Sequence, residues 1–447
     1  MVAGATKLRT DPGTPIHTMK LHNLFSKIRL ANLFVPVFLA LAAPAVFAQA
    51  PTTTPREEKL LNGLKLIMSD APASDKVTLK VRIHAGSAFD PQGKEGLMKL
   101  LAANIFPNPE AKEYFAEELG GSLEILSNYD YIQINASSKP EGFLSMLEAV
   151  ANATVNVDIN KEMTARLKTQ QLKVIETLMA DPAYVADQAA AARLFGTFPY
   201  GRPADGTATS VATIDFADLL SAKQRFFTSD NATVLIAGKI DKDQAYRAVR
   251  RYFGAWIKSD KRVPWTFKQP DAPPTGVQIV TSPITDRFEV RVATRGTSRG
   301  SNDLAAFRVA AAVIENRLKA QLPTGGNGSI MVESRDHVLP GAVVIKFSGT
   351  TEAGNPKIDA NDVVTRALST PVTDAEFQAA KPKAFSELLE YNVYDRWLDV
   401  DTYKTELPSA FQARVASLSL GNVQDVISRL KGQPKAAVIV SANKPSE

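Results

Sequence analysis

The sequence predicts an α+β protein built twice over: two similar domains, each a mainly antiparallel sheet packed with helices. Three observations carry this. Apolar residues recur with a period of two in short segments and with a helical period in longer ones. The order strands, helix, strands, helices occurs twice along the chain. Between the two runs stands a proline-dense stretch, Phe267-Lys268-Gln269-Pro270-Asp271-Ala272-Pro273-Pro274-Thr275-Gly276, where neither a helix nor a central strand can form. The 447 residues are 45% hydrophobic and 22% charged, with 25 Gly and 27 Pro. This is globular composition, and it excludes a collagen or a disordered acidic tail.

The chain opens with a leader over residues 1–50, within which residues 19–50 read as a secretory signal. Lys20, Lys27 and Arg29 precede the uncharged apolar run Leu30–Ala43, and Ala48-Gln49-Ala50 is a small-x-small cleavage site. Export, to a periplasm, is therefore expected, with no membrane association once the signal is removed.

The first domain, 51–265, begins with a short apolar strand, Leu64–Met68. In the next segment Val77, Leu79, Val81 and Ile83 alternate with Thr78, Lys80, Arg82 and His84, predicting a strand with one buried face. A helix is expected over Lys94–Phe106. Strands at Leu123–Ser127 and Tyr129–Asn135, with almost no loop between them, predict a hairpin. Phe143, Met146, Leu147 and Val150 mark one face of a helix. Lys161–Met179 is a long helix ended by Asp181-Pro182, and Pro199–Pro203 is a loop. Helix Ala217–Phe227, strand Ala232–Ala237 and helix Asp243–Phe253 complete the unit.

After the linker at 266–276, the second domain, 277–447, repeats the pattern. Strands are expected at Val277–Val280 and Phe288–Ala293, then a helix over Asn302–Leu318. A strand at Val343–Phe347, a helix over Asp374–Tyr391 and a last strand at Ala436–Val440 follow.

Charge and side-chain chemistry narrow the function. Residues 1–50 hold five bases (Lys7, Arg9, Lys20, Lys27, Arg29) against Asp11, so the net charge of +5 falls to +1 without them. The body has no electrostatic reason to bind nucleic acid. There is no cysteine, which rules out disulfides, thiolate nucleophiles and thiolate metal sites. Of the four histidines, His17 and His22 lie in the leader. His84, on a predicted strand, and His337, in a predicted loop after Ser334-Arg335-Asp336, could meet only across the domain interface, which argues against a His-rich zinc site.

Several phrases in order are similar to the pitrilysin/insulinase family of zinc peptidases: Leu61-Asn62-Gly63-Leu64-Lys65-Leu66-Ile67; Gly86-Ser87-Ala88-Phe89-Asp90; Gly93-Lys94-Glu95-Gly96-Leu97; Pro199-Tyr200-Gly201-Arg202-Pro203 with Gly206-Thr207; Asp230-Asn231-Ala232 before a strand ending at Gly238; and Arg317-Leu318. The resemblance covers nearly all of residues 55–447. It implies two similar α+β domains facing one another across a cavity. It also implies a His-x-x-Glu-His on the helix that begins at Gly96-Leu97, two imidazoles binding zinc and a glutamate acting as general base. This chain has Lys99, Ala102 and Ala103 at those places. An ammonium repels a dication, and methyl groups offer no lone pair. The family's third ligand, a glutamate, falls near Lys173 and Val174, with Glu176 two to three positions away and expected to face solvent. The Arg and Tyr that hold the substrate backbone in the family's second domain fall at Pro323 and Ile330; Arg335 and Tyr391 occur at the wrong spacing.

The resemblance therefore implies a non-catalytic subunit without a cofactor of its own, zinc being expected only in the partner. That partner is a catalytic sister chain forming a heterodimer around a peptide chamber. The alternatives are a homo-oligomeric peptide-binding or scaffold protein and a peptidase with a non-standard site. Two further features are open. Gly325-Gly326-Asn327-Gly328-Ser329 lacks the Gly-Lys-Ser/Thr ending of a phosphate loop and reads as a flexible turn. Asp395, Asp399 and Asp401, interleaved with Tyr394, Trp397 and Tyr403, form an acidic–aromatic patch. It reads either as a solvated face or as a contact for a basic peptide or partner subunit.

Overall fold

The computed structural model describes residues 55–259, 263–281, 287–321, 328–350, 359–389 and 391–441. The predicted leader and signal (1–50), Pro323 and Gly325–Asn327 lie outside them. The first lobe comprises β1 (Arg56–Lys59), β2 (Lys65–Asp70), β3 (Val77–Ile83), α1 (Leu97–Ala103), α2 (Glu110–Glu117), β4 (Ser122–Ser127) and β5 (Ile132–Ser138). It continues with α3 (Phe143–Val155), α4 (Lys161–Met179), α5 (Pro182–Phe195), α6 (Ala208–Thr213), α7 (Phe216–Phe226), β6 (Ala232–Gly238) and α8 (Lys242–Phe253). Residues 263–276 form neither helix nor strand. The second lobe comprises β7 (Val277–Thr281), β8 (Arg287–Arg295), α9 (Leu304–Gln321), β9 (Ser329–Arg335) and β10 (Ala342–Thr350), then α10 (Ala360–Ala367), α11 (Asp374–Leu389), α12 (Val393–Tyr403), α13 (Pro408–Ala416), α14 (Leu420–Gly432) and β11 (Ala436–Ser441).

The duplication is visible in strand order. The first sheet runs β1-β2-β6-β3-β5-β4 and the second β7-β11-β8-β10-β9. With β1 set aside the two orders coincide strand for strand, and in each sheet one pair is parallel, β2 with β6 and β7 with β11. The other pairs are antiparallel. Each sheet buries one face under its own lobe's helices. Leu66, Met68, Leu79, Val81, Ile134 and Val234 lie in the first core, and Val290, Val292, Ile345 and Phe347 lie in the second.

The other face of each sheet is covered by a helix from the opposite lobe. Helix α5 lays Ala186, Ala190 and Leu194 against Ala293, Val344, Val438 and Val440 of the second sheet. Helix α12 lays Leu398, Tyr394 and Trp397 against Ile67, Leu235 and Ala237 of the first. The two lobes therefore meet directly, each plugging the other's sheet, instead of facing one another across an open cavity.

Several expectations are refined. The polar side of β3 is not a solvated face: Lys80 is 6% and Arg82 0% exposed, because α12 lies over them. Asp181-Pro182 ends α4 as expected and also starts α5, a helix not expected there, with the Asp181 carboxylate accepting from the Ala183 N–H and proline at a position that needs no N–H. Ser334 and Arg335 belong to strand β9, not to a loop, and His337 follows in a single parallel bridge to Ser298. The helix expected at Lys94–Phe106 is shorter at both ends, because Gly96 adopts a left-handed conformation at its start.

Candidate functional site

The residues that the sequence places at a metal site sit on α1. Lys99 is part-exposed, and its Nζ lies 3.2 Å from Asp205 Oδ1. Ala102 is 3% exposed, inside the first core, and Ala103 packs half-buried against that core. On α4, Lys173 and Val174 are exposed, as is Glu176, while Gln171 is buried and donates to the Asp205 carbonyl at 2.8 Å. Among the described residues no group of three or more His, Asp or Glu side chains is placed to hold a metal ion.

The glycines in the resembling phrases have a local reason. Gly96 and Gly206 both have positive φ, 95° and 81°. A β-carbon on Gly96 would come within 2.9 Å of the Asp205 carbonyl, and one on Gly206 within 2.3 Å of the Glu95 carbonyl. Two loops thus touch backbone to backbone where only glycine fits. The start of α1 is fixed by Asp90, whose carboxylate accepts from the N–H groups of Gly96 (2.8 Å) and Met98 (2.9 Å). Burial pushes that carboxyl up to about 7, against those two donors. The Pro-Tyr-Gly-Arg-Pro phrase locks the same corner, Arg202 donating to the Asp90 carbonyl at 2.7 Å. Beside it, Phe89 meets Trp265 edge-on (centroids 4.5 Å apart) and Phe267 at a tilt (5.8 Å), and Phe89 and Phe267 line a cavity of about 850 Å³.

Two charged latches join the lobes. In the first, Arg82 donates to Asp399 (2.6 Å), Asp395 (3.4 Å) and Gln133 (2.5 Å), and Lys80 pairs with Asp395 at 2.8 Å. At the end of α12, Asp401 takes Lys65 (3.2 Å) and the Thr233 hydroxyl (3.0 Å). The acidic patch is therefore neither a solvated face nor a docking site for another chain; its basic partner is the protein's own first sheet. In the second latch Asp187 of α5 receives Arg291 (2.5 Å), Arg335 (2.6 Å) and Lys346 (2.9 Å). Between the latches lies Asp130, which accepts from Tyr200 (3.4 Å), Tyr403 (3.2 Å) and the Val338 N–H (3.1 Å) and is bonded to His337 Nδ1 at 3.1 Å.

Burial works to raise the Asp187 carboxyl, but Arg335, Arg291 and Lys346 outweigh it and hold the group down to about 2. A carboxylate depressed on folding stabilises fully above its unfolded value, near 4, and loses that contribution as pH falls toward 2. Asp187→Asn should therefore cost about 2 kcal/mol at pH 6, with the gap to wild type narrowing to less than half by about pH 2.5. Urea unfolding at both pH values checks this; a gap independent of pH would show that the charge is not what stabilises.

Of the residues set aside for wrong spacing, Arg335 is held in the second latch, and Tyr391 lies under the Arg299 guanidinium, 4.6 Å from ring centroid. Ile330 is half-buried on β9. Arg317, from the Arg317-Leu318 phrase, is structural: it donates to the carbonyls of Ala367 (2.8 Å), Thr370 (3.0 Å) and Pro371 (2.9 Å) and grips Glu376. His84 bonds Thr233 (2.9 Å) and Thr402 (3.1 Å), whereas His337 stacks on Tyr200, so each histidine serves a separate inter-lobe contact. Lys80 and Arg82 were overlooked as latch residues. The signal was present: two cations on one side of a strand, and two acids one helical turn apart elsewhere.

Residues 65–208 match the family model for insulinase, peptidase family M16, and residues 213–383 match that for the peptidase M16 inactive domain. An uncharacterized zinc protease of Mycobacterium tuberculosis is 24% identical over 225 residues, 48% of this chain and 50% of that protein. The chain spans about half the length of the curated relatives it matches. The fold is similar to a peptidase M16 inactive domain from Pseudomonas fluorescens, with TM-score 0.76 and 18% identity, covering 88% of this chain and 100% of that one. It is also similar to the periplasmic protease PqqL of Escherichia coli, TM-score 0.67 and 14% identity, covering 87% of this chain but 48% of that one. Against the first half of PqqL alone it covers 92% of that chain. The duplicated sheet order, the glycine-bound start of α1 and these two family matches agree, and the chain belongs to the insulinase family, peptidase family M16.

Proposed function

We infer that this protein is a non-catalytic half of an exported zinc peptidase, shaping a peptide chamber and steadying an active sister chain. The observation that carries the reading is the donor set on α1. Lys99, Ala102 and Ala103 stand where the resemblance places His-x-x-Glu-His, and Lys99 is already paired with Asp205. These side chains do not fit a zinc ion: an ammonium and two methyl groups provide neither ligand nor base. No chemical step is assigned to this chain.

The PqqL comparison supports the partner reading. This chain is similar to one half of that two-half protein, which supports a sister half of the same family as its partner. A peptide would join the edge of β4, which among the described residues pairs with β5 alone and lies beside α1. The secretory signal read at 19–50 supports a periplasmic location, and no described helix is long and apolar enough to cross a membrane.

The test is direct. The purified chain should carry no stoichiometric zinc by elemental analysis and should leave a fluorogenic peptide library uncut. Co-expressed with a family member that retains His-x-x-Glu-His, it should elute as a heterodimer. Zinc-dependent cleavage by the chain alone would defeat the non-catalytic reading. A homodimer that ignores the sister chain would replace the heterodimer with a self-associating scaffold.

A further inference from the structure

A second cavity, of about 240 Å³, opens between the start of α9 and helices α11, α12 and α13. It shares Asp399 with the first latch and includes the Arg299–Tyr391 contact, but is otherwise separate from the sites described above. Three arginines line it, Arg299, Arg308 and Arg396, against an apolar wall of Leu304, Leu388 and Phe411.

The arginines differ in how they are satisfied. Arg299 is paired with Asp399 (2.8 Å) and Asp336 (3.2 Å), and Arg308 with Asp336. The nearby Glu406 is taken by Arg414 at 2.5 Å. Arg396 is different: among the described residues no carboxylate pairs with it. Its guanidinium lies over the rings of Tyr391 (5.7 Å) and Phe411 (5.0 Å), and its Nη2 is buried without an acceptor. The Nε of Arg308 is likewise buried and without an acceptor. Burial, and then the neighbouring Arg299 charge, hold Arg396 below the usual guanidinium range. A guanidinium without a counter-charge is suited to take up an anion.

We propose that this cavity binds a small organic carboxylate, its oxygens on the guanidinium of Arg396, the lining arginine that no carboxylate pairs with among the described residues, and its apolar body against Leu304, Leu388 and Phe411. A guanidinium matches a carboxylate better than any other side chain does. A dianion is disfavoured because Asp399, Glu387 and Glu406 also border the space. The volume suits one amino-acid residue with a free carboxyl end, whether a free acid or the C-terminus of a peptide. The site is independent of whether α1 binds metal.

Calorimetric titration of the full chain with N-acetyl-leucine and with N-acetyl-leucinamide tests the assignment. The acid should bind about tenfold or more tighter than the amide. Arg396→Gln should weaken the acid by a similar factor, and Arg396→Lys, which keeps the charge but loses the fork, by less. Arg429→Gln, whose arginine pairs with Asp303 on the surface, should change nothing. If Arg396→Gln does not fold, Arg396→Lys and a blocking Thr405→Trp carry the comparison. A short peptide ending in leucine, free and amidated, separates the sources: a free peptide tighter than N-acetyl-leucine assigns the site to a C-terminus, equal affinity to a small acid. Equal binding of acid and amide, no binding of the acid at millimolar concentration, or inorganic phosphate binding tighter than the acid would overturn the proposal.

Discussion

Replacing Arg82 by methionine is expected to lower the unfolding free energy by about 3–5 kcal/mol, the usual cost of breaking a buried ion pair from one side. Arg82 has no exposed surface and is the hinge pin of the first latch. Its donors reach Asp399, Asp395, Gln133 and Thr402, and its guanidinium lies 4.0 Å from the centroid of the Tyr131 ring. Burial alone would lower its basicity; the Asp399 charge outweighs that and raises it, so the cation is held firmly. Methionine fills the stem but supplies no charge, leaving Asp399 and Asp395 to Arg299 and Lys80. Those remaining cations set the lower end of the range. Against a typical domain stability of about 5–15 kcal/mol the loss is large, and it should separate the lobes, giving two calorimetric transitions where wild type gives one. Adding Asp399→Asn to Arg82→Met should cost less than the two single changes combined, because the orphaned charge is removed with its partner. Additive losses would mean that the pair is not coupled.

How much of this was legible in the sequence depends on range. Local signals carried well. Period-two alternation located β3 and helical periodicity α3, and the Asn160 and Asp215 caps stand where polar residues precede periodic segments. The glycines at 96 and 206 were recognisable as a pattern, but their reason, two loops in contact 110 positions apart, is tertiary. The greater miss was the outer face of each sheet. Alternation says only that Lys80 and Arg82 point away from Val81; whether water or another element lies there depends on how the lobes dock. The acidic spacing of Asp395 and Asp399 on α12 was visible, and so was its need for cations, but those cations lie more than 300 positions earlier. Arg396 and Arg308 give no sequence signal at all, since a cavity is formed by elements that only the fold brings together.

The proposed loss of the metal site makes a second strong prediction, and it concerns packing more than chemistry. Ala102 stands where the resemblance places the general base, and it is 3% exposed in the core beneath α1. Ala102→Glu must therefore force both extra volume and a carboxylate into a filled space. Overpacking alone costs about 1–3 kcal/mol, and an unpaired buried carboxyl adds about as much even if it takes up a proton, so a total near 4 kcal/mol is expected. Ala102→Met isolates the volume part and should lose roughly half as much. Ala103→His, half-buried, and Lys99→His, which gives up only a part-exposed pair with Asp205, should each cost under about 1 kcal/mol. Chemical denaturation of the four variants gives the ranking. If Ala102→Glu were as stable as wild type, the helix would still hold room and water for a carboxylate, and the site would be a few substitutions from function. If the ranking holds, this helix no longer has space for a general base at that position. The front lobe would then have been repacked around the missing metal, and restoring the motif letters alone could not bring back a peptidase.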